Sequence, residues 1–140
     1  MNTNEEGSEM KDRKVILSTL WVVGMFNYLY CDVMALMDSN LLKQYLTGFV
    51  DGMQINSGFL LGAAILMEIP IGMIILSRVL KYKANRFANI IAGTIMTLVQ
   101  ASTLLIGAPT IYYIFCSVIE IACTSFIVWY AWRWPKQAYD

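Results

Sequence analysis

Four long apolar runs alternate with short polar segments along this chain. They cover Val15–Met37, Gly58–Leu80, Phe87–Gly107 and Ile111–Trp132. A helix rises about 1.5 Å per residue, so each run is long enough to cross ~30 Å of hydrocarbon. The pattern predicts an all-α polytopic membrane protein, a bundle of four transmembrane helices. The second run contains Glu68 and Pro70. Its Leu, Ile, Val and Phe residues together favour insertion by about 4–7 kcal/mol, and one central carboxylate costs only ~3 kcal/mol. The first run is too long for a cleaved signal peptide, contains Asn27 and Asp32, and is followed by no small-x-small cleavage site.

Only the segment 38–57 between the first two spans leaves room for further structure. Leu42, Tyr45, Leu46, Phe49, Val50 and Met53 fall on one helical face, and Lys43, Gln44, Thr47 and Asp51 on the other. This predicts a short amphipathic surface helix, with Asp38, Ser39 or Asn40 as its N-cap. Such a helix is either a lid over the bundle mouth or a connector that lies flat.

Inside the spans, small and polar residues recur at helical spacing. Gly24, Asn27, Tyr28, Cys31 and Asp32 share a side of span one, and Gly58, Gly62, Glu68 and Gly72 share a side of span two. Asn89, Gly93, Met96, Gln100 and Thr103 do so in span three, and Tyr113, Cys116, Ser117, Glu120 and Thr124 in span four. Lipid tails offer polar groups no partner, so these faces are expected to point inward. Their alternation of three and four predicts a left-handed bundle.

Charge adds an orientation. Lys11, Arg13, Lys14, Arg78, Lys81, Lys83, Arg86, Arg133 and Lys136 fall on one side of the predicted membrane, and Lys43 alone on the other. The positive-inside bias puts the first side in the cytoplasm. The expected organisation is a polar cytoplasmic N-terminal tail at 1–14, a transmembrane domain at 15–134 and a cytoplasmic C-terminal tail at 135–140, in the cell (plasma or inner) membrane. Charged residues make up 14% of the chain and the net charge is zero, which leaves no basic surface for nucleic acid. The chain has no His, and Cys31, Cys116 and Cys123 form no CxxC pair. No metal site or cofactor is expected.

The candidate chemistry lies with Asn27, Tyr28, Asp32, Glu68, Asn89, Gln100, Tyr113 and Glu120. From the outer helix ends, Asp32 is about 8 Å deep, Gln100 about 10 Å, Glu120 about 14 Å and Glu68 about 16 Å. No Lys or Arg lies at that depth in the sequence. The acids therefore share protons, meet water or bind a cation, or else they join helices by hydrogen bonds. Both readings stay open. Met67-Glu68-Ile69 and Ile119-Glu120-Ile121 form a weak internal echo.

The strings Asn27-Tyr-Leu-Tyr-Cys-Asp32, Leu66-Met-Glu-Ile-Pro-Ile71, Ser77-Arg-Val-Leu-Lys-Tyr-Lys-Ala-Asn-Arg86 and Ile119-Glu-Ile-Ala-Cys-Thr124 resemble a family of small bacterial four-span membrane proteins known only as a domain of unknown function. The resemblance runs from about Trp21 to Pro135. It implies architecture and no activity. A looser likeness to DoxX-like four-helix membrane proteins rests on span count and buried acids alone.

Three functions compete. The first is a membrane protein that binds a small cationic or apolar ligand, or a proton, in an acidic pocket in the outer half of the bundle. It would act alone, as a homo-oligomer, or as an accessory subunit of a membrane partner. The second is a proton-coupled small-molecule exporter, against which the strong charge bias argues. The third is an intramembrane enzyme, for which no nucleophile, metal set or cofactor motif is present.

Overall fold

The computed structural model describes residues 3–106 and 108–134. It is all-helical apart from one small hairpin. Helices α1 (Thr3–Met37), α3 (Ser57–Val79), α4 (Tyr82–Thr103) and α5 (Ile111–Trp132) are long, and α2 (Ser39–Thr47) is short. The long helices close into a ring: α1 packs on α3, α3 on α4, α4 on α5, and α5 back on α1. The pair α4–α5 is the most extensive, and α3–α4 the thinnest.

Three of the helices are long and apolar enough to cross a membrane, over Gly7–Met37, Ser57–Val79 and Ile111–Trp132. These apolar helices fit a membrane protein. So do the large side chains on the outside, among them Phe26, Leu29, Leu61, Ile65, Ile75, Leu98 and Phe115, which water would penalise and lipid would not. The fourth long helix, α4, is more polar because Asn85, Asn89 and Gln100 lie on it, and all three are buried.

The expected boundaries need correcting in three places. The polar segment before Val15, expected as a tail, is helical and continuous with span one, since α1 runs unbroken from Thr3 through 35 residues. Arg13 on that extension stacks over the Tyr130 ring of α5, 5.1 Å from its centroid. The third apolar run was expected over Phe87–Gly107, but its helix starts at Tyr82 and ends at Thr103. The cytoplasmic tail expected at 135–140, and Gly107, lie outside the described residues.

The third correction concerns the amphipathic segment. Of the three N-cap candidates it is Asp38 that caps α2, its Oδ1 accepting from the backbone N–H of Asn40 at 2.9 Å and of Leu41 at 3.4 Å. The helix stops at Gly48, whose φ of 75° is left-handed and is adopted at least cost by glycine. Phe49–Val50 and Met53–Gln54 then pair antiparallel around Asp51 (φ 47°) and Gly52 (φ 81°). Two positive φ values at the centre of a two-residue loop match the twist of paired strands, and Asp-Gly supplies them readily. Phe49, Val50 and Met53 are therefore not on the helix. Leu42 and Leu46 are exposed at 39% and 80% on the surface of the chain.

The core is built from Leu17, Trp21, Tyr28, Met73, Met96 and Ile127. Gly93 sets the spacing of α4 and α5. A Cβ built there would lie 2.7 Å from Val128 Cγ2 and 3.2 Å from the Thr124 carbonyl oxygen, so only glycine permits this approach.

Candidate functional site

Two cavities occupy the end of the ring nearest the α2–hairpin segment. The deeper one, about 470 Å³, is lined by all four long helices. The shallower one, about 300 Å³, lies beneath α2 and the hairpin, with Leu41, Tyr45, Val50 and Met53 in its wall. Cys31, Asp32, Phe59, Thr103 and Tyr113 line both. Their combined size is in the range of small-molecule sites.

The deeper cavity has two unlike sides. Phe59, Ala63, Leu66, Met67, Met96 and Val99 make one side apolar. Tyr28, Asp32, Gln100, Tyr113 and Glu120 make the other polar. Helical spacing explains the division, since Tyr28 and Asp32 are one turn apart on α1, and Tyr113 and Glu120 two turns apart on α5.

Glu120 is 1% exposed. Its Oε1 accepts a hydrogen bond from Asn27 Nδ2 at 2.9 Å, and the same nitrogen donates to the Cys116 carbonyl at 3.1 Å. That amide fixes one carboxyl oxygen and ties α1 to α5. Behind the carboxyl, Thr97 Oγ1 donates to Thr124 Oγ1 at 2.8 Å, and Thr124 Oγ1 donates to the Glu120 carbonyl at 2.9 Å. Gln100 Nε2 donates to Ser117 Oγ at 2.8 Å, and Tyr113 Oη to Thr103 Oγ1 at 2.8 Å. Asp32 is exposed within the opening shared by the two cavities.

Among the described residues, two buried hydroxyls at the cavities lack a partner, Thr110 Oγ1 in the wall of the shallower one and Tyr28 Oη in the deeper; only Tyr28 shares its cavity with Glu120. Tyr28 is 7% exposed. A buried hydroxyl without a hydrogen bond costs roughly 1–3 kcal/mol. Above it, Tyr45 in the wall of the shallow cavity has its phenol pushed above the usual tyrosine range, first by burial and then by the nearby Asp32.

The structure thus brings together Tyr28, Asp32, Gln100, Tyr113 and Glu120, with Asn27 behind them. It does not bring Glu68 or Asn89. Glu68 is exposed and lines neither cavity. The expectation that all three acids share the interior is wrong for it. The buried residues of α3 are Pro70, Met73 and Ser77, and at 100° per residue Glu68 faces the opposite way.

Asn89 belongs to a second polar cluster near the basic end. Its Oδ1 accepts from Trp21 Nε1 at 2.8 Å and from Ser77 Oγ at 3.2 Å, and its Nδ2 donates to Asn85 Oδ1 at 2.6 Å and to the Asn85 carbonyl at 2.9 Å. Asn85 Nδ2 in turn donates to the Ser77 carbonyl at 2.6 Å. Both donors and both acceptor directions of Asn89 are used, which leaves nothing to offer a ligand. This cluster is a clamp joining α1, α3 and α4. The sequence pattern does not single out Trp21, Ser77 or Asn85; only Asn85, one turn before Asn89 on α4, carries a spacing that points to it. Among the described residues, no group of three or more His, Cys, Asp or Glu is placed to hold a metal ion.

Residues 7–140 match the profile of a family described as a family of unknown function (DUF6326). No curated protein and no solved structure matches. These comparisons do not show the likeness to DoxX-like proteins.

Proposed function

The chain belongs to this family of unknown function (DUF6326), and from the geometry of its cavity we propose that it is a four-span membrane protein that holds a small amphiphilic ligand with an apolar body and a cationic head. The observation that carries the reading is the unpartnered hydroxyl of Tyr28, 7% exposed, in the same cavity as the carboxyl of Glu120. A buried donor left open beside a buried carboxyl, across from an apolar wall, suits a ligand that supplies both partners. Asp32, in the opening shared by the two cavities, would attract the cationic head on entry.

The fourth span in this reading is α4. Its 22 residues are about 33 Å long. Its polar residues Asn85, Asn89 and Gln100 are buried, and Phe87, Ile91, Ile95 and Leu98 are exposed. Polar groups satisfied inside a bundle do not have to meet lipid. Four spans and the charge bias put both ends in the cytoplasm and the α2–hairpin segment outside, as a cover over the shallow cavity.

The test is binding of a fluorescent lipophilic amine to the purified full chain in nanodiscs. Wild type is expected to bind it. Glu120→Gln keeps the bond from Asn27 but removes the charge, and Tyr28→Phe removes the hydroxyl alone. Glu120→Gln is expected to weaken binding at least about ten-fold, the scale of one charge-assisted hydrogen bond, with an unchanged unfolding temperature. Absence of binding to wild type, or equal binding by all three proteins, would overturn the proposal.

A further inference from the structure

Glu68 is the central residue of the 23-residue helix α3. If α3 crosses the membrane, the carboxyl lies at the middle of the hydrocarbon, where an unpaired one is costly. It points away from its own bundle, lines neither cavity, and makes no hydrogen bond with any described residue. The outer faces of the other long helices differ. They present Phe26 and Leu29 on α1, Ile91, Ile95 and Leu98 on α4, and Phe115 and Val118 on α5, all of which lipid tails can cover.

The residues around Glu68 form a seam. Leu61, Glu68 and Ile75 recur every seven residues, and Leu61 and Ile75 are 62% and 65% exposed. Ala64 and Gly72 stand one turn either side of Glu68 on the same face. A Cβ built at Gly72 meets nothing within 4 Å, so this glycine serves no close approach inside its own chain. Small residues flanking a polar one let a second backbone come near enough for an interhelical hydrogen bond. A single polar residue in a heptad seam fixes register and oligomeric state.

We propose that the outer face of α3 is a homodimer interface, in which Glu68 meets Glu68 of a second copy across a two-fold axis. The occupant follows from the chemistry. A two-fold interface places each seam residue opposite itself, and Ala64 and Gly72 would admit the partner's backbone at the level of the carboxyls. A carboxyl group is self-complementary, since one that carries a proton both donates and accepts, and two that meet share protons. No Lys or Arg of the partner is required. The cavity and its proposed ligand play no part in this interface.

The test is the oligomeric state of the full chain in lipid bilayers, followed by fluorescence energy transfer between labelled copies at increasing dilution in lipid. In a background lacking the native cysteines, Leu61→Cys and Ile75→Cys are expected to cross-link between copies, and Leu98→Cys, on the exposed face of α4, is not. Glu68→Gln, an amide that also donates and accepts, is expected to keep the dimer. Glu68→Leu is expected to loosen it about three- to twenty-fold for each interhelical bond lost, and Ala64→Leu with Gly72→Leu to leave monomer. These side chains are outside the monomer core, so unfolding of each variant's monomer should match wild type. A monomeric wild type in lipid, cross-linking at Leu98 rather than on α3, or energy transfer unchanged in the Ala64/Gly72 double variant would overturn the proposal.

Discussion

Replacing Gly93 by Ala adds one methyl group where α4 and α5 come closest. The new Cβ would sit 2.7 Å from Val128 Cγ2, 3.2 Å from the Thr124 carbonyl oxygen and 3.6 Å from Ile127 Cγ2. Ordinary contact between carbons is about 3.5–4.0 Å. Val128 is β-branched and lies within a helix, which holds its χ1 near one rotamer, and the Thr124 oxygen belongs to the backbone of α5. Overpacking of this kind costs about 1–3 kcal/mol. Alanine returns up to ~1 kcal/mol through its better helix propensity. The net expectation is a loss of about 1–2 kcal/mol for Gly93→Ala, and more for Gly93→Leu. Val128→Ala removes the nearest clashing atom, so in that background the cost of Gly93→Ala should shrink by about 1 kcal/mol, a coupling typical of residues in contact. Equilibrium unfolding of the four proteins in one detergent or lipid condition measures the cycle. A stabilising Gly93→Ala, or additive effects of the two substitutions, would refute the close approach of these helices.

Other consequences can be checked in the same preparations. In a background without native cysteines, Thr47→Cys is expected to react with an impermeant thiol reagent only from outside the cell, and Lys83→Cys only from the cytoplasm; labelling of both from one side would exclude the proposed topology. Asn89→Leu strands the Trp21 indole N–H and the Ser77 hydroxyl, so unfolding should show a loss of about 2–4 kcal/mol, whereas a neutral result would deny the clamp. Gly52→Val forces a branched side chain into φ 81°, and hydrogen exchange should rise at residues 49–54 with the long helices unchanged. The Tyr45 phenol is held up first by burial and then by Asp32, so its proton is held more tightly folded than unfolded. Any stability this gives is present below the usual tyrosine pKa of about 10 and is lost as pH rises through the raised value. Ultraviolet difference titration, with Tyr45→Phe identifying the signal, should show Tyr45 ionising at lower pH in Asp32→Asn.

The apolar runs carried most of the fold. Three of them are helices of spanning length and composition, and Asp38, one of three N-cap candidates, caps α2. The cavity was also legible in large part, because Tyr28 with Asp32, and Tyr113 with Glu120, repeat at whole turns of one face. Glu68 lies within a broad arc that also holds Gly58, Gly62 and Gly72, so polarity alone points it inward. The competing signal was the spacing Pro70, Met73, Ser77, which defines the true buried stripe. Phe49, Val50 and Met53 kept helical spacing by coincidence, while Gly48 and Asp51-Gly52 ended the helix and turned the chain. The clamp around Asn89 depends on Trp21, Ser77 and Asn85 meeting from three helices. A linear sequence does not display such a meeting, and Asn85 falls in the basic segment between two apolar runs.

The most direct test of the proposed binding site is a structure of the full chain in lipid with a brominated lipophilic amine, read for anomalous density. A bromine peak is expected against the apolar wall of the deeper cavity, with the amine beside Glu120 and a ligand atom within hydrogen-bond reach of Tyr28 Oη. An empty cavity at saturating amine, or density confined to the outer helix faces, would contradict the proposed site.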